Sequence, residues 1–541
     1  MKQLAAYLFI LIFFSFSSKA QQLDSSFAIN GYTQDNGFLA NVTSIAIQPD
    51  DKIVAALDRS ASQNNSLDFF ACRYKTNGTL DSTFGTNGIS HAFAGAKSIS
   101  RDIALQADGK IVVAGQATYC NQIVCGFDNF VMERLKANGQ PDSSFGQDGF
   151  VKCGPVFGPQ VMAGAASRVK VLASGKILVS GMVTYQVPSG MAWYAFVVRF
   201  NTNGSVDNTF GTNGIMQTGM GTTDMFATLA DMTIDNNGNI YCTGRKSYTG
   251  INLPNPGDGY VFKINASGVL DNSFGTNGVA LLNKAPWDDP SNIMLRSDGR
   301  ILIAGVTRAA ATLDSPGSGA VYMLEANGAQ SSIISQGYRS FTVPGKPDMS
   351  VRSMVMYANN KFSLSGFADS NYHKDAFIAR FNADGTNDNS FNNGSNIAVY
   401  NLSVSGTLFH SMKELSNGKL LLAGGRNIMA PTLKPVALVA RLKAPSANSI
   451  HTVSQNTAVI SIYPNPAQDK IFISYDVAHA GAQVQVHVAD ITGKAVYQYS
   501  GMLQQLERDM NSWFAASSKG MYVIQLSGNE DYNQSLKLVK Q

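Results

Sequence analysis

"LDSSFAINGY", residues 23–32, decides the fold, because four later stretches resemble it: "LDSTFGTNGI" at 80–89, "PDSSFGQDGF" at 141–150, "VDNTFGTNGI" at 206–215 and "LDNSFGTNGV" at 270–279. Each later copy closes a longer repeated unit, whereas the first stands alone near the N-terminus. The unit starts with two apolar strands joined by a polar turn, as in "DIALQADGKIVVAG" and "NIMLRSDGRILIAG". Seven such hairpins occur, with Asp51, Gly109, Gly175, Gly238, Gly299, Asn360 and Gly418 at the turn, 58 to 66 residues apart. Gly, Asn and Asp tolerate the positive φ of tight hairpin turns.

A third strand follows each hairpin, from "FFACRYKTNG" to "ALVARLKAP". Six of these run into a closing segment, one of them degenerate ("QSSIISQG"), and the seventh, ending near Arg441, runs into the polar linker "PSANSIHTVSQN". The set therefore lacks one closing segment, and residues 23–32 are one to spare. A closed ring accounts for both facts. The expected fold is all-β, a seven-bladed β-propeller over 21–444 whose last blade takes its outer strand from the N-terminus, because radial closure protects sheet edges.

The charges repeat in step. Arg73, Arg134, Arg199, Lys263 and Arg380 precede the turn glycine of their third strands, and Asp81, Asp142, Asp207, Asp271 and Asp388 precede the Phe of the closing segments. The unit with Met323 in place of the cation has Ser331 in place of the acid. By the same rule Arg441 pairs with Asp24. The alternative is that each Asp caps only its own turn. These units resemble the delta-60 repeat family over residues 22–444, which implies a repeat of secreted bacterial proteins and brings no catalytic residues.

From Ile460 alternating apolar strands suggest a small Ig-like β-sandwich at 459–541, after a linker at 445–458. Four motifs stand there in order: Tyr463-Pro464-Asn465-Pro466, then Asp490 with Gly493 and Lys494, then Gly520 and Tyr522, then Lys537 and Lys540. Together they resemble the type A C-terminal sorting domain of the type IX secretion system of Bacteroidetes. The resemblance implies the type IX machinery and its sortase as partners, and an extracellular or outer-membrane-surface location. A generic accessory domain is the alternative. Residues 1–20, with Lys2, an apolar run to Phe16 and Ser18-Lys19-Ala20, read as a signal peptide cut after Ala20, or else as an uncleaved anchor. No other stretch is apolar enough to span a membrane.

With 14% charged residues and 50 Gly, the chain suits short strands and many turns rather than helices. A net charge of +4 over 541 residues is too small to imply a nucleic-acid partner. Of five Cys, Cys72 and Cys242 sit in apolar strands, Cys120 and Cys125 could form a local disulfide, and Cys153 is left over.

Strand parity puts the longer, variable loops on the ring face opposite the short hairpin turns, and binding residues concentrate on such loops. Trp193, Trp287, Tyr119, Tyr185, Tyr248 and Tyr372 are the aromatic candidates there, for stacking on sugar or gripping a protein. Filling gaps between blades is their other role. No metal-ligand spacing, nucleophile elbow or phosphate loop is found among the six His and the Gly-rich turns, so no catalytic residue, metal or cofactor is assigned. Segments such as "NADGTNDNS" are rich enough in oxygen to take Ca²⁺ but lack an EF-hand pattern. The expected function is non-catalytic binding of a glycan or protein outside the cell. The alternative is a secreted hydrolase or lyase acting on polysaccharide.

Overall fold

Each repeat folds into an antiparallel meander whose strands follow one another in sequence order. In the first, Ala40–Ile47 pairs with Ile53–Arg59, that with Phe69–Tyr74, and that with Ile89–Phe93. The hairpin turn needs a residue in the left-handed region, and φ is 59° at Asp51 and 83° at Gly299. In this computed structural model the described residues are 22–444 and 461–540, less 34–39, 60–68, 94–97, 121–124, 153–156, 158–160, 188–189, 218–224, 249–256, 311–314, 371–372, 393, 404, 431, 464–466, 475–482, 491–493 and 529–532. The segments expected to be a signal peptide, 1–20, and a linker, 445–458, lie outside them.

Four-stranded meanders recur over 98–152, 161–217, 225–281, 287–341 and 348–400. A single parallel bridge, Gly257 to Trp287, joins the third and fourth of these five into one eight-stranded sheet. The last unit, 407–442, has three strands of its own.

Residues 22–33 bond to its third strand. The Asp24 N–H donates to the Arg441 carbonyl at 2.8 Å, and the Arg441 N–H donates to the Gly31 carbonyl at 2.9 Å. In the first unit, Asp81 donates to Arg73 at 2.8 Å and Arg73 to Gly88 at 3.2 Å. The same ladder thus forms between segments eight residues apart in one unit and 417 apart in the other.

Packing follows from the second strands, which are apolar at successive positions because both faces are covered. In Ile301–Arg308, Ile301 and Ile303 join a core with Tyr241, Val261 and Phe274, whereas Leu302 and Ala304 join one with Phe362, Phe377 and Phe381. Alternate side chains thereby bind each sheet to both neighbours. One cluster joins Val42, Ile53 and Ala55 of the first unit to Leu421, Ala423 and Val439 of the last, with Phe27 fully buried among them.

The chain divides into two compact units, Met1–Pro445 and Ser446–Gln541. In the second, a sheet in the order Ala495–Met502, Gln483–Asp490, Gly520–Gly528, Asn533–Lys540 accompanies a strand pair, Ser461–Tyr463 with Phe472–Ser474. To the small Ig-like sandwich expected from sequence the structure adds a helix. This helix, Leu503–Ala516, supplies the cover, burying Leu503, Leu506, Met510 and Phe514 against Val484, Val486 and Val488. The spacing i, i+3, i+7, i+11 is a helical stripe lying inside a run otherwise read for strand alternation.

Candidate functional site

The repeated charges come together as pairs. Arg73 Nε lies 2.9 Å from Asp81 Oδ2, Arg134 Nε 2.8 Å from Asp142 Oδ2, and Arg199 Nε 2.5 Å from Asp207 Oδ2. Lys263 reaches Asp271 at 2.8 Å, Arg380 reaches Asp388 at 3.2 Å, and Arg441 reaches Asp24 at 2.8 Å. Pairing and turn capping are not alternatives here. Asp81 Oδ1 accepts from the Thr83 hydroxyl at 2.7 Å while Oδ2 takes the guanidinium, and Asp24 divides its oxygens the same way between Ser26 and Arg441.

Burial works against the Asp24 charge, but bonds from Lys419 and Ser26 and the field of Arg441 hold its carboxyl well below the usual range. Asp81, likewise buried but bonded to Thr83 and facing Arg73 and Lys52, is held to about 2. Each guanidinium also covers the closing-segment ring, at 4.5 Å for Arg134 on Phe145 and 4.7 Å for Arg441 on Phe27.

Its remaining N–H groups reach onward. Arg73 Nη1 donates to the Ala137 carbonyl of the second unit at 2.7 Å, and Arg441 Nη1 to the Thr76 carbonyl of the first at 2.6 Å. In the unit without the pair, Arg296 Nη1 donates to Ala383 at 2.6 Å in its stead. Sequence reasoning missed the second cation on several of these acids: Lys176, Lys361 and Lys419 lie 2.7, 3.1 and 2.7 Å from Asp207, Asp388 and Asp24. Their recurring place just after the hairpin turn was the available signal.

Among the described residues the loop aromatics do not gather into one site. Trp287 is buried at 6% exposure with the Arg245 guanidinium 4.3 Å from its ring, filling a gap between two meanders. Tyr185 and Tyr194 are half-buried, meet edge to face at 5.5 Å, and the Tyr185 hydroxyl accepts from Gln217 at 2.6 Å. Trp193 is half-buried beside them in sequence. The side chains of Tyr119 and Tyr248, and all of Tyr372, lie outside the described residues.

Cys120 and Cys125 are register partners across an antiparallel pair, with their sulfurs, and Cys153, outside the described residues. Cys72 and Cys242 are buried and free. Among the described residues no three His, Cys, Asp or Glu are placed to hold a metal ion, and no helix is long and apolar enough to cross a membrane.

In the C-terminal unit the motif residues have structural partners. The Tyr522 hydroxyl donates to the Ser518 carbonyl at 2.5 Å, and Asp490 Oδ1 accepts from the Lys494 N–H at 3.2 Å. Lys540 Nζ caps the helix, donating to Ala515 at 3.1 Å and Ser517 at 2.8 Å, where a cation suits the negative end of the helix dipole. Gly520 has φ of 155° with open space where a Cβ would sit. Pro464, Asn465, Pro466 and Gly493, with the side chains of Tyr463 and Lys537, lie outside the described residues.

What no motif indicated is a cavity of about 390 Å³ lined from the first strand of every meander, Ala40–Ile47 through Thr407–Glu414. Backbone geometry aims its lining. Each first strand carries at least one register shift that skips a residue: Thr43, Arg101, Ser291, Arg352 and His410 are among those skipped. In later units a facing glycine makes room for the shift: a Cβ on Gly305 would lie 2.2 Å from the Asp289 carbonyl, and one on Gly366 1.8 Å from that of Ser350, whereas Ala56 stands there in the first unit. Such a bulge re-aims a side chain, and Arg101, Arg352 and His410 line the cavity.

Five cations line it, Arg101, Arg168, Lys170, Arg352 and Lys413, against three carboxylates, Asp58, Asp102 and Asp231. Two of the acids serve the scaffold. Asp102 accepts from Ser44 Oγ at 2.8 Å and the Val169 N–H at 3.0 Å; Asp231 accepts from Arg168 and the Ile293 N–H, each at 3.1 Å. Burial, and then the charge of Arg352, push the His410 imidazole down to about 4, so it is neutral at pH 7.

All-β meanders and these tail motifs define an exported protein with a propeller-like domain. A family model described as "Secretion system C-terminal sorting domain" matches residues 461–541, and one described as "Domain of unknown function (DUF5122) beta-propeller" matches 48–84, 106–145 and 172–210. The chain carries both, and the tail marks it for type IX export to the cell surface or the extracellular space. No curated protein matches the sequence. Similar solved structures include a protein of unknown function from Dyadobacter fermentans (10% identity, 65% of this chain and 93% of that one, TM-score 0.39). Others are polysaccharide lyase Uly1 (11%, 77% and 92%, 0.44) and Drosophila Semaphorin 2a (8%, 96% and 98%, 0.45). At these scores the likenesses bear on neither activity nor ligand.

Proposed function

We propose that the meanders form a seven-bladed propeller closed by residues 22–33, and that it serves outside the cell as a non-catalytic binding protein for a glycan or protein. In this reading residues 1–20 direct the chain to the periplasm, 459–541 take it across the outer membrane, and 21–444 hold the ligand, with 445–458 as linker. The carrying observation is the cavity: every unit contributes to its wall, its carboxylates Asp102 and Asp231 are engaged in scaffold hydrogen bonds, and cations remain over. Purified mature chain should bind members of a glycan panel, or a surface partner by crosslinking, and release no product from polysaccharides.

A second reading, a polysaccharide lyase, has one observation behind it. His410 is neutral beside Arg352, the pairing of base and carboxylate-neutralising cation that β-elimination requires. Unsaturated product released by wild type and lost in His410→Ala would establish it instead.

A further inference from the structure

We propose that the cavity bounded by the seven first strands binds a compact ligand bearing oxyanion groups (carboxylate, sulfate or phosphate), held by Arg101, Lys170, Arg352 and Lys413. The inference rests on the binding reading and names the ligand class for that site.

Of the five lining cations, Arg168 is engaged by Asp231 at 3.1 Å. Among the described residues no carboxylate forms an ion pair within 4 Å with the other four, so the positive charge of the wall is offset only from a distance, by Asp102, Asp231 and Asp289. Asp58 lies near Arg101, but burial raises its proton affinity and so weakens it as a counter-charge. The cations act on one another. Desolvation within the cavity and then Lys170 lower the proton affinity of Lys413 against the opposing charges of Asp102 and Asp231. Desolvation also lowers that of Arg352, with Asp289 opposing and Arg168 and Arg101 adding to it, while both residues keep solvent-exposed surface.

Concentrated like charge, two of its cations on the bulges at Arg101 and Arg352, costs stability, and a bound anion relieves that repulsion. Arg352 does not hang free: its guanidinium lies 5.5 Å from the Phe367 ring, which also carries Lys374 at 5.1 Å. Guanidinium forks match the geometry of carboxylate, sulfate and phosphate, and a protein-walled cavity screens them less than an open surface does. A volume of about 390 Å³ admits a ligand of one or two sugar rings, or a smaller anion with water.

The test is calorimetric titration of the purified mature chain at low salt with inorganic sulfate, inorganic phosphate, di- and trigalacturonate, and a sulfated disaccharide, beside neutral cellobiose and maltotriose. At least one anion should bind, more weakly as chloride is raised, while the neutral sugars leave the cavity empty. Binding by the inorganic ions alone identifies a small-oxyanion site; preference for the oligosaccharides identifies an acidic glycan.

Arg352→Gln with Lys413→Gln should weaken binding by about tenfold or more, whereas Lys75→Gln, an exposed lysine outside the cavity, should not. Because removing like charges should leave the thermal midpoint unchanged or higher, lost binding is separable from lost fold. Independently, the bound anion should raise the wild-type midpoint beyond chloride of equal ionic strength. No binding by any anion, or binding indifferent to the double substitution, overturns the proposal. If a neutral glycan or a protein partner binds the double variant as well as wild type, the binding reading stands and only this inference falls.

Discussion

Glu133 is 1% exposed in the third strand of the second unit, and neither carboxylate oxygen has a hydrogen-bond partner among the described residues. Its counterparts before the strand cation are Cys72, Val198, Phe262, Tyr322, Ala379 and Ala440, mostly apolar. Burial raises its proton affinity well above the usual carboxylate range. Between the unfolded pKa of about 4.3 and the raised folded value, the folded state binds more protons, so this group's contribution to stability falls as pH rises. Glu133→Leu should therefore raise the urea midpoint at pH 7, by an amount that shrinks towards pH 4; a lower midpoint at pH 7 would show that the carboxyl has a partner. Ala28 is strained in another way. Its φ is 46° where the matching glycines, Gly85 and Gly211, have 56° and 54°. Ala28→Gly should stabilise by about 0.5–1 kcal/mol, the left-handed cost of Ala less the added chain entropy of Gly, read as a higher melting temperature.

At the scale of elements, the closing segment is fastened by its Asp. Removing one partner from a buried pair strands the other charge, at a cost of about 3–5 kcal/mol, so Arg134→Gln and Asp142→Asn should each destabilise strongly. Their double variant should recover about 1 kcal/mol or more relative to additivity; strict additivity would show no coupling. The same carboxyls govern acid stability. Asp81 and Asp271 are held to about 2, below the unfolded value of about 3.9. As pH falls through that window the unfolded state takes up protons first, so stability is intact above pH 4 and declines towards pH 2. Urea melts at pH 7, 4 and 3 should show the decline starting near 4. These pairs were legible in the sequence because cation and acid vanish together at Met323 and Ser331, a comparison the chain makes within itself. The tail helix was less legible, its stripe of Leu503, Leu506, Met510 and Phe514 being interrupted by strand-forming sequence on both sides.

For the whole molecule, the cavity was the least legible feature. Its residues come one cluster per strand from seven distant places, and the bulge residues Thr43, Arg101, Ser291, Arg352 and His410 do not repeat as a type. A lone cation on one strand reads as a solvated side chain; only the arrangement of all seven first strands makes it part of a wall. Export belongs to this scale too, and deletion of residues 459–541 should abolish surface exposure of the remainder while leaving it in the periplasm. In the proposed closure the two ends of 22–444 fasten to each other and complete the cavity wall. Asp24 and Arg441, 2.8 Å apart and 417 residues apart in sequence, report on it directly. In a double-mutant cycle of Asp24→Asn and Arg441→Gln, followed by urea unfolding of the mature chain, closure requires a coupling of about 1 kcal/mol or more, matching Arg134 with Asp142. Additive single effects at Asp24 and Arg441, with coupling intact at Arg134 and Asp142, would contradict closure.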